Sequence, residues 1–192
     1  MIRQARSLAA TAFLLVLIVS ANWAADSKGA PAQTSTWTSQ NLEAFLVQEI
    51  SGGQAKRVAK EGTILVIRGV FKPAEGQAAT LPVGSIVLEG QSTVGETSAK
   101  WKLGVIGVGI DGGKGCGYEF PDTVVKGEIT TSHDTGGAFS IQKEAENAPA
   151  LLKIVRHPTT LCLAFNVPQA PSGDVRLRFG DLQTTVSVPD KQ

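Results

Sequence analysis

Two cysteines, Cys116 and Cys162, and two histidines, His133 and His157, are the residues of this 192-residue sequence best suited to chemistry. A thiol beside an imidazole can act as a nucleophile with its base, and the one such pair within short reach is His157 with Cys162. No third residue stands out to orient the imidazole, and no G-x-S-x-G elbow is present. A structural zinc site needs four donors at short spacing, and a blue-copper site needs two His, a Cys and a soft axial ligand. The donors here are scattered and the only methionine is Met1. The histidines therefore read as solvated loop residues, and no metal is expected. Gly107-Val-Gly109-Ile-Asp-Gly112 matches a dinucleotide fingerprint on paper, but Gly112-Gly113-Lys114-Gly115 cannot open the helix whose amides would hold a pyrophosphate. The glycines read instead as a turn, a bulge or a close backbone approach. Carboxylates such as Asp122, Asp134, Asp174 and Asp181 are spread through turns. The expectation is a protein that is not an enzyme and carries no cofactor. The catalytic alternative is a small envelope hydrolase or redox protein using Cys162.

The compartment follows from the first residues. Arg3 and Arg6 precede a run that stays uncharged from Ser7 to Ala25, strongly apolar only over Leu8–Val19 and ending in small residues. That order is a secretory signal peptide, assigned to residues 1–25; the apolar part is short of the ~20 residues a permanent span needs. A periplasmic or secreted location is expected, with membrane association only if the segment stays uncleaved. Cleavage would leave 16 cations against 17 carboxylates. A balance so close to neutral gives no electrostatic footprint for nucleic acid. In an exported chain the even cysteine pair is expected to be bridged, Cys116 to Cys162. The bare alternative is that Cys162 is a small buried hydrophobe, on the opposite face from Leu161, Leu163 and Phe165.

The elements that would position these residues are strands. Residues 26–39, rich in Ala, Ser, Thr and Gln, read as a flexible leader, and 40–192 as one domain. Asn41–Ile50 is expected to be an irregular first strand, with a helical turn as the other possibility. Thr63–Phe71 is a clear β-branched strand and Ser85–Glu89 a short one, followed by a polar connection over Gly90–Thr97. Lys100–Ile110 alternates as a glycine-weakened strand. Further strands are expected at Thr123–Thr131, at Gly137–Gln142 with Phe139 and Ile141 inward, and at Leu151–Val155. In the last thirty residues Leu161, Leu163, Phe165 and Val167 share one face. Pro168–Gly173 signals a turn, and Val175, Leu177 and Phe179 then alternate with Arg176 and Arg178. Short strands, frequent turns and no long amphipathic helix predict an all-β protein: an antiparallel sandwich of about 7–9 strands.

Leu-Cys-Leu-Ala-Phe-Asn-Val-Pro at 161–168, followed by Asp-Val-Arg-Leu-Arg-Phe-Gly-Asp at 174–181, resembles the closing strands of small exported bacterial immunoglobulin-like sandwich proteins. These form the immunoprotective-antigen-like family, most of whose members have no assigned activity. The resemblance covers this pair of strands and, more loosely, Thr63–Phe71. It implies an immunoglobulin-like fold and carries over no catalytic residues.

The expected function is that of a non-catalytic binding or interaction protein. Its partner would be an unidentified envelope protein or a glycan, the alternative being a carbohydrate- or cell-wall-binding module. Two surfaces are candidates. Arg176 and Arg178 point outward from one strand and Arg156 precedes the strand read as its neighbour, a basic stripe for an acidic partner or a solvated, aggregation-guarding face. Trp101 and Tyr118 flank the glycine loop Asp111–Gly117 and would form an aromatic patch, unless Trp101 is a core anchor. Loops Asp111–Gly117 and Pro168–Gly173 are the expected places for ligand contacts.

Overall fold

The computed structural model describes residues 35–53, 55–59, 62–74, 79–113, 115–127, 129–131, 139–154 and 159–189. Among them are fifteen strands, two short 3-10 turns and no α-helix. In chain order the strands are β1 (Trp37–Val47), β2 (Glu49–Gly52), β3 (Ala55–Val58), β4 (Thr63–Pro73) and β5 (Ala79–Pro82). After them come β6 (Ile86–Val94), β7 (Thr97–Gly104), β8 (Gly107–Asp111), β9 (Cys116–Glu119) and β10 (Ile129–Thr131). The last five are β11 (Phe139–Gln142), β12 (Leu151–Ile154), β13 (Thr159–Val167), β14 (Val175–Phe179) and β15 (Leu182–Val186). All pair antiparallel, in a five-stranded sheet β1-β4-β13-β8-β9, two four-stranded sheets β10-β11-β12-β5 and β15-β14-β6-β7, and a hairpin β2-β3.

The central strands are apolar on both faces, so their side chains sort by parity. Leu65 and Ile67 of β4, with Leu161, Leu163, Phe165 and Val167 of β13, enter a large core. There they meet Phe139, Ile141, Leu152 and Ile154 from one four-stranded sheet and Ile86, Leu88, Leu177 and Phe179 from the other. Phe71 stacks on Phe179 at 4.6 Å between centroids, and Trp37 meets the same ring edge-on at 5.0 Å. The opposite parity, Ile64, Val66, Cys162 and Ala164, packs in a smaller cluster with Ile50, Tyr118 and Phe120. The architecture is thus all-β and sandwich-like.

Several expectations change. The assigned signal segment lies outside the described residues, but the end of the stretch read as leader is built into the fold. β1 begins at Trp37, which is only 4% exposed. The Asp181 carboxylate fixes its approach, accepting hydrogen bonds from the Thr36 amide at 2.7 Å and from the Ser35 and Thr36 hydroxyls, each at 3.0 Å. Irregularity in β1 has a single cause. The pairing with β4 slips by one residue between Gln40 and Glu43, and Asn41 there takes φ 54°. Such a bulge reverses side-chain phase: before it Trp37 faces the large core, after it Leu42, Ala44 and Leu46 do. The mixed spacing is a strand with a phase jump, not a helix.

The strand count exceeds the expected 7–9 because single runs divide. Gly90–Thr97 is not a connection but a hairpin, with β6 reaching Val94 and β7 starting at Thr97. Lys100–Ile110 is two strands in two sheets, β7 and β8. Among the described residues of Thr123–Thr131 only Ile129–Thr131 is strand, after a 3-10 turn at Pro121–Thr123 and Gly127 at φ 77°. The closing runs also separate: β13 lies in the five-stranded sheet and β14 in a four-stranded one. Two strands with matching apolar faces satisfy burial equally well side by side or across a core, and alternation alone does not choose.

Candidate functional site

The candidate residues scatter. Cys116 and Cys162 are bridged, with Cα atoms 6.1 Å apart, and no free cysteine remains. Cys162 pairs in register with Gly109 and with Arg68, so the bridge crosses the small-cluster face of the five-stranded sheet. A bridged Cys162 has no thiol to serve as a nucleophile. His133, His157 and Arg156 lie outside the described residues. Among the described residues no group of three or more His, Cys, Asp or Glu is placed to hold a metal ion.

Two of the fingerprint-like glycines, Gly107 and Gly109, sit inside β8, and Gly112 follows it. A side chain at Gly109 would place Cβ 2.6 Å from the carbonyl oxygen of Gly117, and one at Gly107 would reach within 3.2 Å of the Tyr118 ring. They are there for close approach of β9, as glycine inside a strand implies. Tyr118 is 5% exposed, and burial pushes its phenol well above the ordinary value. It is a core residue of the small cluster, not part of a surface patch. Trp101 lies in another sheet, half-buried against the large core. Its ring covers Gly90, where a Cβ would come 2.5 Å from the indole, and its Nε1 donates to Ser92 Oγ at 2.9 Å. The expected aromatic pair does not form.

The arginine stripe also takes a different shape. Arg176 and Arg178 do face outward from β14, but the neighbours of β14 are β15 and β6, so the strand after Arg156 is not beside them. Arg176 lies opposite Glu89, which binds Lys102 at 2.9 Å. The hydrogen bond and charge of Lys102, then the charges of Arg176 and Arg178, hold Glu89 below the ordinary carboxylate range. On the far side of the molecule's five-stranded sheet, Arg68 is held between Glu43 and Asp111 and is kept more firmly charged, first by Glu43. Asp111 also accepts the Gly113 amide at 2.9 Å, tying down one of the two expected contact loops.

The other loop leads to a cleft. The link from β13 to β14 is fastened to β6: the Ser172 amide donates to Gln91 O at 2.9 Å and Ser92 Oγ donates to Gln169 O at 3.1 Å. Beside it opens a cavity of about 1080 Å³. The end of β1 (Phe45, Leu46, Val47) with Gln48 after it, Thr63 at the start of β4 with Gly62 before it, the β6–β7 tip (Thr93, Val94, Gly95), Gln169, Ala170 and Pro189 line it. Every lining side chain is apolar or neutral polar, and Val94 is 57% exposed. Of this lining, the loop Pro168–Gly173 that the sequence singled out contributes Gln169 and Ala170. The β6–β7 tip was not singled out, because its strands are short on apolar residues and Gly95 at φ 57° was not recognisable as a hairpin turn. Comparison with known protein families, curated proteins and solved structures finds no match to this chain.

Proposed function

We propose that this chain is an exported, non-catalytic binding protein on an immunoglobulin-like sandwich, with a neutral segment of an envelope protein held in the cleft beside Gln169. The observation that carries the proposal is the lining: a broad cleft between loops braced on a rigid sandwich, with apolar walls and a few amide and hydroxyl groups. Pockets of that composition hold neutral ligands by shape and fix their orientation with sparse hydrogen bonds. Export is supported by the Cys116–Cys162 bridge, which persists in oxidising compartments. The resemblance of residues 161–181 to exported immunoglobulin-like proteins points the same way.

A neutral glycan is the second reading, since Gln48, Thr93 and Gln169 offer amide and hydroxyl partners beside Phe45 and Val94. Photo-crosslinking separates the two. A crosslinker at position 169 in the exported chain should give one discrete protein adduct that Val94→Asp abolishes, whereas a crosslinker at Gly113 should give none. A neutral oligosaccharide that blocks the adduct, or binds the purified chain until Val94→Asp is introduced, selects the glycan reading. No adduct and no oligosaccharide binding would refute the cleft as a ligand site. Turnover abolished by His157→Ala or His133→Ala would refute the non-catalytic part.

A further inference from the structure

The sheet β15-β14-β6-β7 ends at β7, which is hydrogen-bonded to β6 alone among the described residues. Thr97–Lys100, Lys102 and Gly104 are exposed, and only Trp101 and Leu103 are partly covered. A strand of eight residues with a free edge presents a row of unpaired peptide groups, which is a template for another polypeptide rather than for a sugar or a lipid. Cross-strand register then sorts its side chains. Leu103 lies opposite Leu88 and Trp101 opposite Gly90, on the core side; Lys102 lies opposite Glu89 and Lys100 opposite Gln91, on the outer side. One strand further on, Arg176 and Arg178 share that outer face. Lys100, Lys102, Arg176 and Arg178 thus surround a single carboxylate, Glu89, already engaged by Lys102.

This charge pattern discriminates between occupants. A second copy of β7 paired antiparallel about Trp101 would set Lys100 opposite the copy's Lys102, and like charges directly opposite destabilise a pair. An acidic strand meets the same lysines favourably. The intervening residue of such a strand would fall on the core side, beside the partly buried Trp101. That ring is held in place by its cover over Gly90 and its hydrogen bond to Ser92.

We propose that the free edge of β7 accepts an extended segment of a partner polypeptide as an added strand, with carboxylates at alternate positions facing Lys100 and Lys102 and an apolar residue between them facing Trp101. This surface is separate from the cleft beside Gln169, and neither proposal depends on the other.

The test uses the purified exported chain and a fluorescein-labelled peptide of alternating Glu and Val, read by anisotropy. Binding is expected, with none for the Lys/Val counterpart. N-methylation of alternate peptide nitrogens should abolish it, because the ladder depends on main-chain donors. Lys100→Glu combined with Lys102→Glu should weaken the Glu/Val peptide by about tenfold or more and favour the Lys/Val peptide. The double variant must keep the wild-type circular dichroism and melting temperature; Lys100→Gln with Lys102→Gln, which only removes charge, serves in its place if it does not. Val94→Asp should leave peptide binding unchanged. Equal binding of the N-methylated peptide, or an unchanged Kd in the charge variants, overturns the proposal, as does dimerisation of the wild-type chain through β7.

Discussion

On one face of the five-stranded sheet, Leu65, Ile67, Leu161, Leu163 and Phe165 are covered by two further sheets. On the other, Ile64, Val66, Cys162 and Ala164 meet Ile50, Tyr118 and Phe120, with the β2-β3 hairpin and the sheet's own edge as cover. Where a full second layer exists, large side chains in strict alternation fill it. Where the cover is thin, the chain uses small residues, glycines that let β9 approach, a covalent bridge, and a cation over a ring: the Arg57 guanidinium lies 5.1 Å from the Phe120 centroid. The large face is held by many dispersed contacts, and the small face by a few individual ones.

Truncation should expose that difference first. Phe165 is wholly buried in the large core, so Phe165→Ala is expected to cost about 3–5 kcal/mol in urea denaturation. The counterpart on the small face is the bridge. It joins residues 46 apart in sequence, and the chain-entropy account gives about 4 kcal/mol for a loop of that size. Cys116→Ala with Cys162→Ala should lower stability by a comparable amount, one staple weighing as much as one core ring. A loss below about 1 kcal/mol would mean that the hairpin, not the bridge, holds the small face.

The same contrast decides what could be read from sequence. β4, β13, β14, the bridge and the side of the sheet that Cys162 occupies follow from alternation and residue type, because burial on a regular strand leaves a period-two record. β1 does not, since the bulge at Asn41 reverses its phase within one strand and both of its faces are partly covered. β7 was legible only in part, as the start of a single strand Lys100–Ile110, and not as an edge, and Tyr118 was placed outside because a lone Tyr next to glycines carries no signal of burial. Sheet membership is a long-range property. Nothing between Val167 and Val175 says that the chain crosses from one sheet to another. Of the cleft, only the loop Pro168–Gly173, which contributes Gln169 and Ala170, was singled out; Phe45–Gln48, Gly62–Thr63 and Thr93–Gly95 come together from three separate parts of the chain.

A milder probe is Gly109→Ala. The added methyl would meet the Gly117 carbonyl oxygen at 2.6 Å, so β8 and β9 must part. Overpacking of this kind costs about 1–3 kcal/mol. The change falls beside Cys162, and it should also speed reduction of the bridge by dithiothreitol relative to wild type. Gly84→Ala, with open space around it, is the control and should do neither.

Each face also has a charged contact at its margin, Asp181 on the large-core side and Arg57 on the small, and the two should respond to different conditions. On the large-core side Asp181 binds Ser35 and Thr36 just before Trp37. Partial burial pushes this carboxyl up, but hydrogen bonds from the Thr36 amide and from the Ser35 and Thr36 hydroxyls outweigh it and hold its pKa below the ordinary value. A depressed native pKa contributes stability that is present above the unfolded value, about 3.9, and is lost as pH falls through the lower native one. The melting-temperature gap between wild type and Asp181→Asn should therefore be constant near neutrality and close in acid. A gap unchanged down to pH ~2 would show that Asp181 acts through packing rather than charge.

The contact on the small face should answer to salt instead. Arg57 reaches Asp122 at 2.5 Å and lies over Phe120, with its side chain 37% exposed. Partly exposed ion pairs contribute little and are screened, whereas the cation–ring contact, worth about 0.5–1 kcal/mol, owes part of its strength to the flat guanidinium and the removal of ring surface from water. Asp122→Ala should therefore lower stability slightly at low salt and hardly at all at high salt. Arg57→Ala should lose about 0.5–1 kcal/mol at low salt and keep most of that loss at high salt. Arg57→Lys, which preserves the charge but not the plane, should resemble Arg57→Ala more than wild type. If Arg57→Lys were indistinguishable from wild type, the margin of the small cluster would be held by the ion pair, and the ring of Phe120 would owe its burial to β2-β3 alone.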